Sequence, residues 1–381
     1  MKFEEIKIGL TLSGGGVRAA VFHLGILSRL SDEKLLEKVK MISTVSGGSL
    51  VTGMIYQANN NKWPSSIEYK EKCIPYVRKC LTENNLQLNA FLRYSLFWVP
   101  IMRGRAAIVA DAMESSWSIK CMLNDIPTEP RWNINATSIE SGKSWRFIPN
   151  KRMGDYILNY VEKPEMKLSE ALCCSAAVPF LIGPLKLKTS HYKWLKYITD
   201  TKGKVIKKIE IKPSYKTIHL WDGGAYDNLG IEPLLKYNTG LKYREEFNYL
   251  IVSDASGTLH TKRRRWFEPA RIIDVTMDQV RSLRARVLWD HFKSVKNSGS
   301  YLKIGESTET IHSNIKPPFS VNELTKTGID EKDIINARDY PTTLWKMKSK
   351  HFDNLFKHGW EVANAAIVSR SPLLFKNQKF L

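Results

Sequence analysis

The N-terminal part of the chain repeats one local pattern, in which a short apolar strand runs into glycines and then into a helix. Residues 6–12 predict a strand, Gly14, Gly15 and Gly16 end it, and apolar residues at 3.6-residue spacing predict a buried helix over residues 17–30. The same pattern recurs as a strand at 39–45, a glycine turn at 46–49 and a helix at 50–57. Strands that alternate with helices form parallel sheets covered by crossover helices. The expected fold class is therefore α/β, a parallel-rich central sheet with helices on both faces.

The remaining sequence is expected to belong to the same domain, spanning residues 1–381. Residues 61–130 are mostly helical in pattern and predict a helical cap or lid. Residues 186–216 hold ten lysines against Asp200 and Glu210, and their alternation predicts a basic β-hairpin insertion. Further elements are predicted as strands at 132–137, 144–148 and 247–252, a small-residue helix at 169–180, and an amphipathic C-terminal helix at 342–367.

Ser46 stands where a strand meets a helix, with Gly47 and Gly48 directly after it. A sharp strand-to-helix turn exposes a side chain above the sheet, and small flanking residues let the backbones approach closely. The hydroxyl then lies near helix N–H groups, which stabilise a developing negative charge. A serine at this position also commonly caps the following helix. The motif alone supports a role of Ser46 as nucleophile and a role as helix cap equally.

The loop Gly14-Gly15-Gly16 with Arg18 fits a dinucleotide fingerprint, yet the second strand ends without the carboxylate that would bind a ribose. It also lacks the Gly-Lys-Ser/Thr of a Walker loop. Consecutive glycine N–H groups that open a helix still form an anion site. Because neighbouring parallel strands would bring this loop close to Ser46, the pair predicts an oxyanion hole beside a serine nucleophile.

A nucleophilic serine needs a base, and Asp222 is the first candidate. It lies at a predicted strand end that runs into Gly223 and Gly224, where a carboxylate can face a cleft. The same sequence is also typical of an ordinary aspartate that only forms a turn. Asp254, after the strand at 247–252, is the rival, and Asp227 is a weaker one.

These residues together resemble the patatin-like phospholipase family. Three segments match its motifs in order, and a fourth, residues 171–180, is similar to another family block; the three are residues 13–18, 44–48 and 222–224. The resemblance spans residues 6 to about 256. This sequence departs from the family pattern at Thr44, where a small residue is usual, and at Ala19, where glycine is common.

The resemblance implies a patatin-like three-layer architecture and a catalytic dyad without histidine, in which Ser46 attacks an ester carbonyl and Asp222 accepts its proton. It further implies oxyanion donors at Gly14, Gly15 and Gly16, with Arg18 assisting or bracing the loop. It also implies that the two turns are supported by four glycines, which are Gly47, Gly48, Gly223 and Gly224. The expected activity is a phospholipase A type hydrolysis of fatty-acyl esters.

An α/β-hydrolase triad is the main alternative, since Ser46, Asp222 and either His260 or His291 follow its chain order. Such enzymes normally build several strands before the nucleophile, whereas a single strand precedes the 39–45 strand here. The dyad is therefore the preferred interpretation.

The net charge of +20 indicates an anionic partner. Residues 91–102 form an apolar stretch beside basic residues, and we expect Phe97, Trp98, Arg103 and Arg105 to be candidate contacts with an anionic phospholipid membrane. A buried helix or an active-site cap explains this stretch equally well. The basic runs at 186–216 and 262–267 also permit a non-catalytic nucleic-acid-binding or membrane-binding protein. No nucleic-acid module is recognisable, so no nucleic-acid partner is expected.

Targeting and cofactor signals are weak in this sequence. No apolar stretch reaches the length of a membrane span, and the N-terminus runs almost directly into a strand, which predicts a cytoplasmic protein peripheral to the inner face of a membrane. The five cysteines have no zinc-type spacing, and no loop is dense in carboxylates. No metal and no cofactor are expected.

Overall fold

The computed structural model describes residues 3–96, 104–179, 182–201, 204–236, 241–244, 246–257, 268–313 and 329–371. The sequence predictions for Phe97, Trp98, Arg103, His260 and residues 262–267 lie outside these ranges.

Within the described ranges, one large mixed sheet of twelve strands organises the fold. Its order is β14-β13-β1-β2-β3-β4-β5-β6-β8-β9, while β10 pairs with β3 and with β7. The pairs from β14 to β3 are parallel and the remaining pairs are antiparallel. The strands are β1 (Ile8–Leu12), β2 (Val39–Val45), β3 (Arg131–Ser138), β4 (Ser144–Ile148), β5 (Arg152–Asp155), β6 (Asn159–Glu162), β7 (Leu185–Lys188), β8 (Trp194–Thr199), β9 (Val205–Ile211), β10 (Thr217–Asp222), the short separate pair β11 (Leu235–Lys236) and β12 (Lys242–Tyr243), β13 (Tyr249–Asp254) and β14 (Gly299–Lys303).

Helices cover both faces of the sheet, because its central strands are apolar on both sides. Ile8, Leu10 and Leu12 of β1 belong to the larger core, whereas Leu250 and Val252 of β13 belong to a second core on the opposite face. The three-layer α/β prediction is confirmed. The helices are Gly16–Asp32, Gly47–Ala58, Ser66–Glu68, Ile74–Thr82, Leu86–Leu96, Arg105–Ser116, Leu168–Ser175, Gly224–Asp227, Glu268–Ser294, Thr308–Ser313, Glu331–Arg338 and Ser349–Arg370.

The C-terminal helix was predicted over residues 342–367, and this boundary is wrong at its start. The helix begins at Ser349, and residues 340–344, here called the strap, cross the glycine loop instead. The backbone of the strap hydrogen-bonds to the helix after the glycine loop: the carbonyl of Thr343 accepts the N–H of Val17 at 3.0 Å. The strap follows these tertiary contacts, and the helix begins only after it, at Ser349.

The helix predicted over 169–180 is also shorter, and spans Leu168–Ser175. The carbonyls of Ser175 and Ala177 accept N–H groups from distant turns, which ends the helix early. In the lysine-rich segment, β8 and β9 do form an antiparallel pair at the sheet edge. That this segment is an insertion stays a prediction. None of the described helices combines the length and the apolar character needed to cross a bilayer.

Candidate active site

The register of the sheet brings three strand ends together. Strands β1 and β2 are parallel neighbours, so the glycine loop and Ser46 leave the sheet at the same edge. Along β3, Val45 lies opposite Asn135, and Asp222 at the end of β10 lies opposite the next residue, Ala136. Because β2 runs parallel to β3 and β10 runs antiparallel to it, the C-terminal ends of β2 and β10 face each other. Ser46 and Asp222 are thereby placed side by side.

Ser46 occupies a strained turn between β2 and the following helix. Its φ of 48° and ψ of −118° lie in a region that non-glycine residues rarely adopt, at a cost of about 1–3 kcal/mol. Although it stands at the N-cap position, its side chain makes no capping hydrogen bond. The N–H of Ser46 donates to the carbonyl of Ser175 at 3.1 Å and to its hydroxyl at 3.0 Å. The hydroxyl of Ser46 is thus not used as a helix cap.

The close packing of the two loops explains the glycine after Ser46. A Cβ on Gly47 would lie 2.2 Å from the carbonyl oxygen of Gly16, so any side chain would push the loops apart. The N–H of Gly48 donates to the carbonyl of Ser13 at 3.2 Å, which joins the loops directly. Thr44, the unusual residue of the turn, is fully buried and bonds the Ser49 hydroxyl at 2.8 Å.

Asp222 is a buried carboxylate that lies beside the Ser46 hydroxyl. The N–H of Gly224 donates to its Oδ1 at 2.7 Å. Burial raises the pKa of Asp222 to about 6, and the Gly224 N–H and the Ser46 hydroxyl offset only part of that effect. A carboxyl group with such a pKa is mostly ionised at neutral pH and remains a better proton acceptor than an exposed aspartate.

The segment after the helix Leu168–Ser175 holds both turns. The carbonyl of Ser175 accepts the N–H groups of Ser46 and, at 3.3 Å, of Gly223, while the carbonyl of Ala177 accepts the N–H of Asp222 at 3.0 Å. These bonds fix the distance between the two turns. The sequence marked this segment as similar to a family block but assigned it no role, because the backbone carbonyls that accept these bonds are independent of side-chain identity; the Ser175 hydroxyl is in addition a side-chain acceptor for the N–H of Ser46.

The glycine loop presents fewer free donors than its sequence predicts. The N–H of Gly14 already donates to the carbonyl of Asn228 at 3.2 Å, so it is not available to an oxyanion. Within the described part of the chain, no acceptor is found for the N–H groups of Gly15 and Gly16. Both glycines have positive φ values, 143° and 61°, which a residue with a side chain would adopt only with strain.

Arg18 braces this loop rather than facing the cleft. Its guanidinium is 3 % exposed and donates to the carbonyls of Tyr340 at 2.6 Å and Ala255 at 3.3 Å. Burial lowers its pKa to about 10, and the charge of Asp254 opposes that shift. Of the two predicted roles for Arg18, assistance or bracing, the geometry fits bracing.

The histidines do not complete a triad among the described residues. His23 is fully buried, and its Nε2–H donates to the carbonyl of Ser13 at 2.9 Å, so its Nδ1 accepts from the Ser253 hydroxyl at 2.6 Å. Burial lowers the pKa of His23 to about 4, which keeps it neutral. His291 packs against the ring of Tyr243, about 20 Å along its helix from Met277, whose Cε lies near Gly224.

The rival carboxylates are committed to ion pairs. Asp254 accepts from Arg281 at 3.1 Å and from the Tyr301 hydroxyl at 2.5 Å, and the positive charge of Arg281 contributes to a lowered pKa. Asp227 pairs with Arg284 at 3.1 Å. Neither is free to act as a base for Ser46.

A largely apolar cavity of about 460 Å³ opens above Ser46 and Gly16. Helices Leu86–Leu96 and Arg105–Ser116, both within the predicted cap region, form part of its wall. The other lining residues come from the segment after Ser175 and from the strap; the full set is Gly16, Ser46, Leu86, Gln87, Ala90, Phe91, Arg105, Ile108, Val109, Ala176, Val178, Ile182, Thr342, Thr343 and Leu344. An apolar cavity over a serine hydroxyl suits an acyl chain. No cluster of metal-ligating side chains occurs in the ranges that the structure covers.

Comparison with known proteins agrees with this geometry. The family model of patatin-like phospholipase matches residues 10–235, more than half of the chain. Among solved structures, human GIVD cytosolic phospholipase A2 aligns with 98 % of this chain and 63 % of its own length, with a TM-score of 0.56 and 13 % identity. The same human enzyme in complex with methyl gamma-linolenyl fluorophosphonate inhibitor and terbium chloride gives a TM-score of 0.53, with 13 % identity over 98 % of this chain and 60 % of that one.

This chain therefore spans less than two thirds of those structures, and at such identity they show a shared fold. No curated protein matches the chain. The sequence resemblance is confirmed by the family match, which contains the glycine loop, the Ser46 turn and the Asp222 turn. The chain belongs to the patatin-like phospholipase family.

Proposed function

We propose that this chain is a lipid acyl hydrolase that cleaves fatty-acyl esters of phospholipids, with Ser46 as nucleophile and Asp222 as its base. The placement of the Ser46 hydroxyl, which lines an apolar cavity and lies beside the buried Asp222 carboxylate, is the observation that supports it most directly. The family to which the chain belongs is consistent with this chemistry.

The reaction proceeds in two halves. Ser46 Oγ attacks the ester carbonyl carbon while its proton passes to Asp222, and the N–H groups of Gly15 and Gly16 stabilise the oxyanion. The tetrahedral intermediate expels the alcohol, which takes the proton from Asp222 and leaves an acyl group on Ser46. Asp222 then accepts a proton from water, the resulting hydroxide attacks the acyl carbonyl, and the fatty acid departs as Ser46 regains its proton.

The substrate lies in an aggregate, so the enzyme must bind a lipid surface. The net charge of +20 favours an anionic one, and Leu88, Phe91 and Leu92 are exposed on the helix that lines the cavity. We extend the proposal to a peripheral enzyme that acts at the cytoplasmic face of a membrane, with residues 61–130 as its cap.

Fatty-acid release from vesicles of mixed phosphatidylcholine and phosphatidylglycerol tests the proposal. Wild type is expected to release fatty acid, and Ser46→Ala and Asp222→Asn to fall to background. His291→Gln and the exposed control Ser294→Ala are expected to keep wild-type rates. An alkyl fluorophosphonate should label wild type, because Ser46 Oγ displaces fluoride from phosphorus, and should not label Ser46→Ala. Activity that survives Asp222→Asn but is lost in a histidine variant would refute the dyad.

A further inference from the structure

Arg105 is the one charged residue among the described residues that line the cavity above Ser46. It is the first residue of the helix Arg105–Ser116. No described residue forms a hydrogen bond or ion pair with its guanidinium. An arginine at an apolar cavity therefore keeps all of its donors available to a ligand.

The guanidinium of Arg105 lies close to the loop that contains Ile182 and Gly183. Its Nη2 lies 3.5 Å from the place where a Cβ on Gly183 would be, and the neighbouring Ile182 also lines the cavity. The side chain thus reaches from the helix towards the loop that follows Val178. Arg18, by contrast, is buried, and both of its terminal nitrogens donate to backbone carbonyls.

The chemistry of a phospholipid matches this layout. Only the glycerol backbone separates its acyl esters from its phosphate, so a substrate whose acyl chain fills the cavity and whose ester reaches Ser46 presents the phosphate near the cavity mouth. Guanidinium groups bind phosphate oxygens through two parallel N–H donors, and such charge-assisted pairs are about twice as strong as neutral ones.

We propose that Arg105 binds the phosphodiester of the substrate and selects phosphate-bearing acyl esters over neutral ones. This inference rests on the proposed lipid acyl hydrolase activity. It assigns Arg105 to the substrate itself, whereas the sequence predicted a contact with the membrane surface. The two roles differ in a measurable way, because a surface contact has no effect on a substrate dissolved as single molecules.

The test uses two short-chain esters below the concentration at which they aggregate, dihexanoyl phosphatidylglycerol and the neutral dihexanoylglycerol. The ratio of their kcat/KM values is measured for wild type, Arg105→Gln and Arg105→Lys. We expect Arg105→Gln to lower the phospholipid-to-neutral ratio by about tenfold or more. Arg105→Lys, which keeps a point charge without the planar fork, should restore part of it. The control Arg286→Gln removes an exposed charge on the helix Glu268–Ser294 and should leave the ratio at the wild-type value.

Two results would overturn the inference: a ratio in Arg105→Gln equal to that of wild type, whether both rates fall equally or neither falls, or a loss that occurs only with vesicles. A binding measurement distinguishes failure of this inference from failure of the proposed function. In the Ser46→Ala background, calorimetry should show dihexanoyl phosphatidylglycerol binding about tenfold more weakly when Arg105 is also replaced by Gln. If wild type hydrolyses neither ester, the proposed function fails, and this binding difference still decides the role of Arg105.

Discussion

Replacing Asp222 by Asn should abolish activity and make the protein more stable at alkaline pH. The pKa of this buried carboxyl is raised from 3.8 to about 6, so its ionised form is disfavoured in the folded state. A group with a raised folded pKa contributes stability that is present below the unfolded value, near pH 3.8, and is lost as the pH rises through 6. The asparagine has nearly the same shape and carries no such penalty.

The magnitude follows from the shift. The difference 6 − 3.8 is about 2 pKa units, and at 1.36 kcal/mol per unit the ionised carboxylate costs about 3 kcal/mol at pH 8. At pH 4 the folded carboxyl is already protonated, and most of that cost is absent. The stability of Asp222→Asn relative to wild type should therefore increase by about 2 kcal/mol between pH 4 and pH 8. Because the difference between two pH values is used, changes in the hydrogen bond from Gly224 largely cancel.

Urea unfolding followed by tryptophan fluorescence at the two pH values measures this change. Asp254→Asn is the matched control, because Arg281 helps to keep the pKa of Asp254 below its usual value of 3.8. Since Asp254 is then ionised throughout this range, the stability of that variant relative to wild type should change little between pH 4 and pH 8. An Asp222→Asn variant whose relative stability is the same at both pH values would refute the reasoning, since the buried carboxylate would then carry no ionisation cost.

Three further changes test the site. The kcat/KM of wild type should fall about tenfold per pH unit below pH 6 and level off above it, because Asp222 must be ionised to accept a proton; a pH-rate profile measures this. Gly47→Ala should lower kcat at least a hundredfold in a folded protein, judged by circular dichroism, because the new Cβ would meet the Gly16 carbonyl at 2.2 Å and displace the oxyanion donors. Arg18→Lys should lower kcat about tenfold with a smaller effect on KM, since lysine cannot bridge the carbonyls of Tyr340 and Ala255; steady-state kinetics separate the two constants.

The local part of the site could be predicted from sequence because its signals are local. The strand predicted at 39–45 before the glycine turn has the bounds of β2, and the adjacency of two parallel strands was enough to bring the glycine loop to Ser46. The proposed role of Ser46 as nucleophile rather than cap required coordinates, since both uses need the same residue after the same strand. The strained φ of 48° and the absence of a capping bond distinguish them.

Other parts depend on backbone contacts that leave no signal in side-chain type. The meeting of Asp222 with Ser46 depends on the register of β10 against β3, a strand more than eighty residues earlier in the chain. The N–H of Gly14 is occupied by a carbonyl from Asn228, and any residue at that position could supply the same acceptor. A glycine-rich sequence therefore identifies the loop but not which of its amides are free.

The strap shows how far the site extends beyond the family match, which ends at residue 235. Arg18 reaches Tyr340 and Val17 donates to Thr343, so the first turn after the glycine loop is held by residues more than three hundred positions away. Thr342, Thr343 and Leu344 also line the cavity. In the proposed mechanism the amides of Gly15 and Gly16 act on the oxyanion only when they are held in position before the reaction, so their alignment depends on the strap as well as on their own conformation. In that mechanism residues 340–344 position the glycine loop, and a change in how they pack should alter kcat.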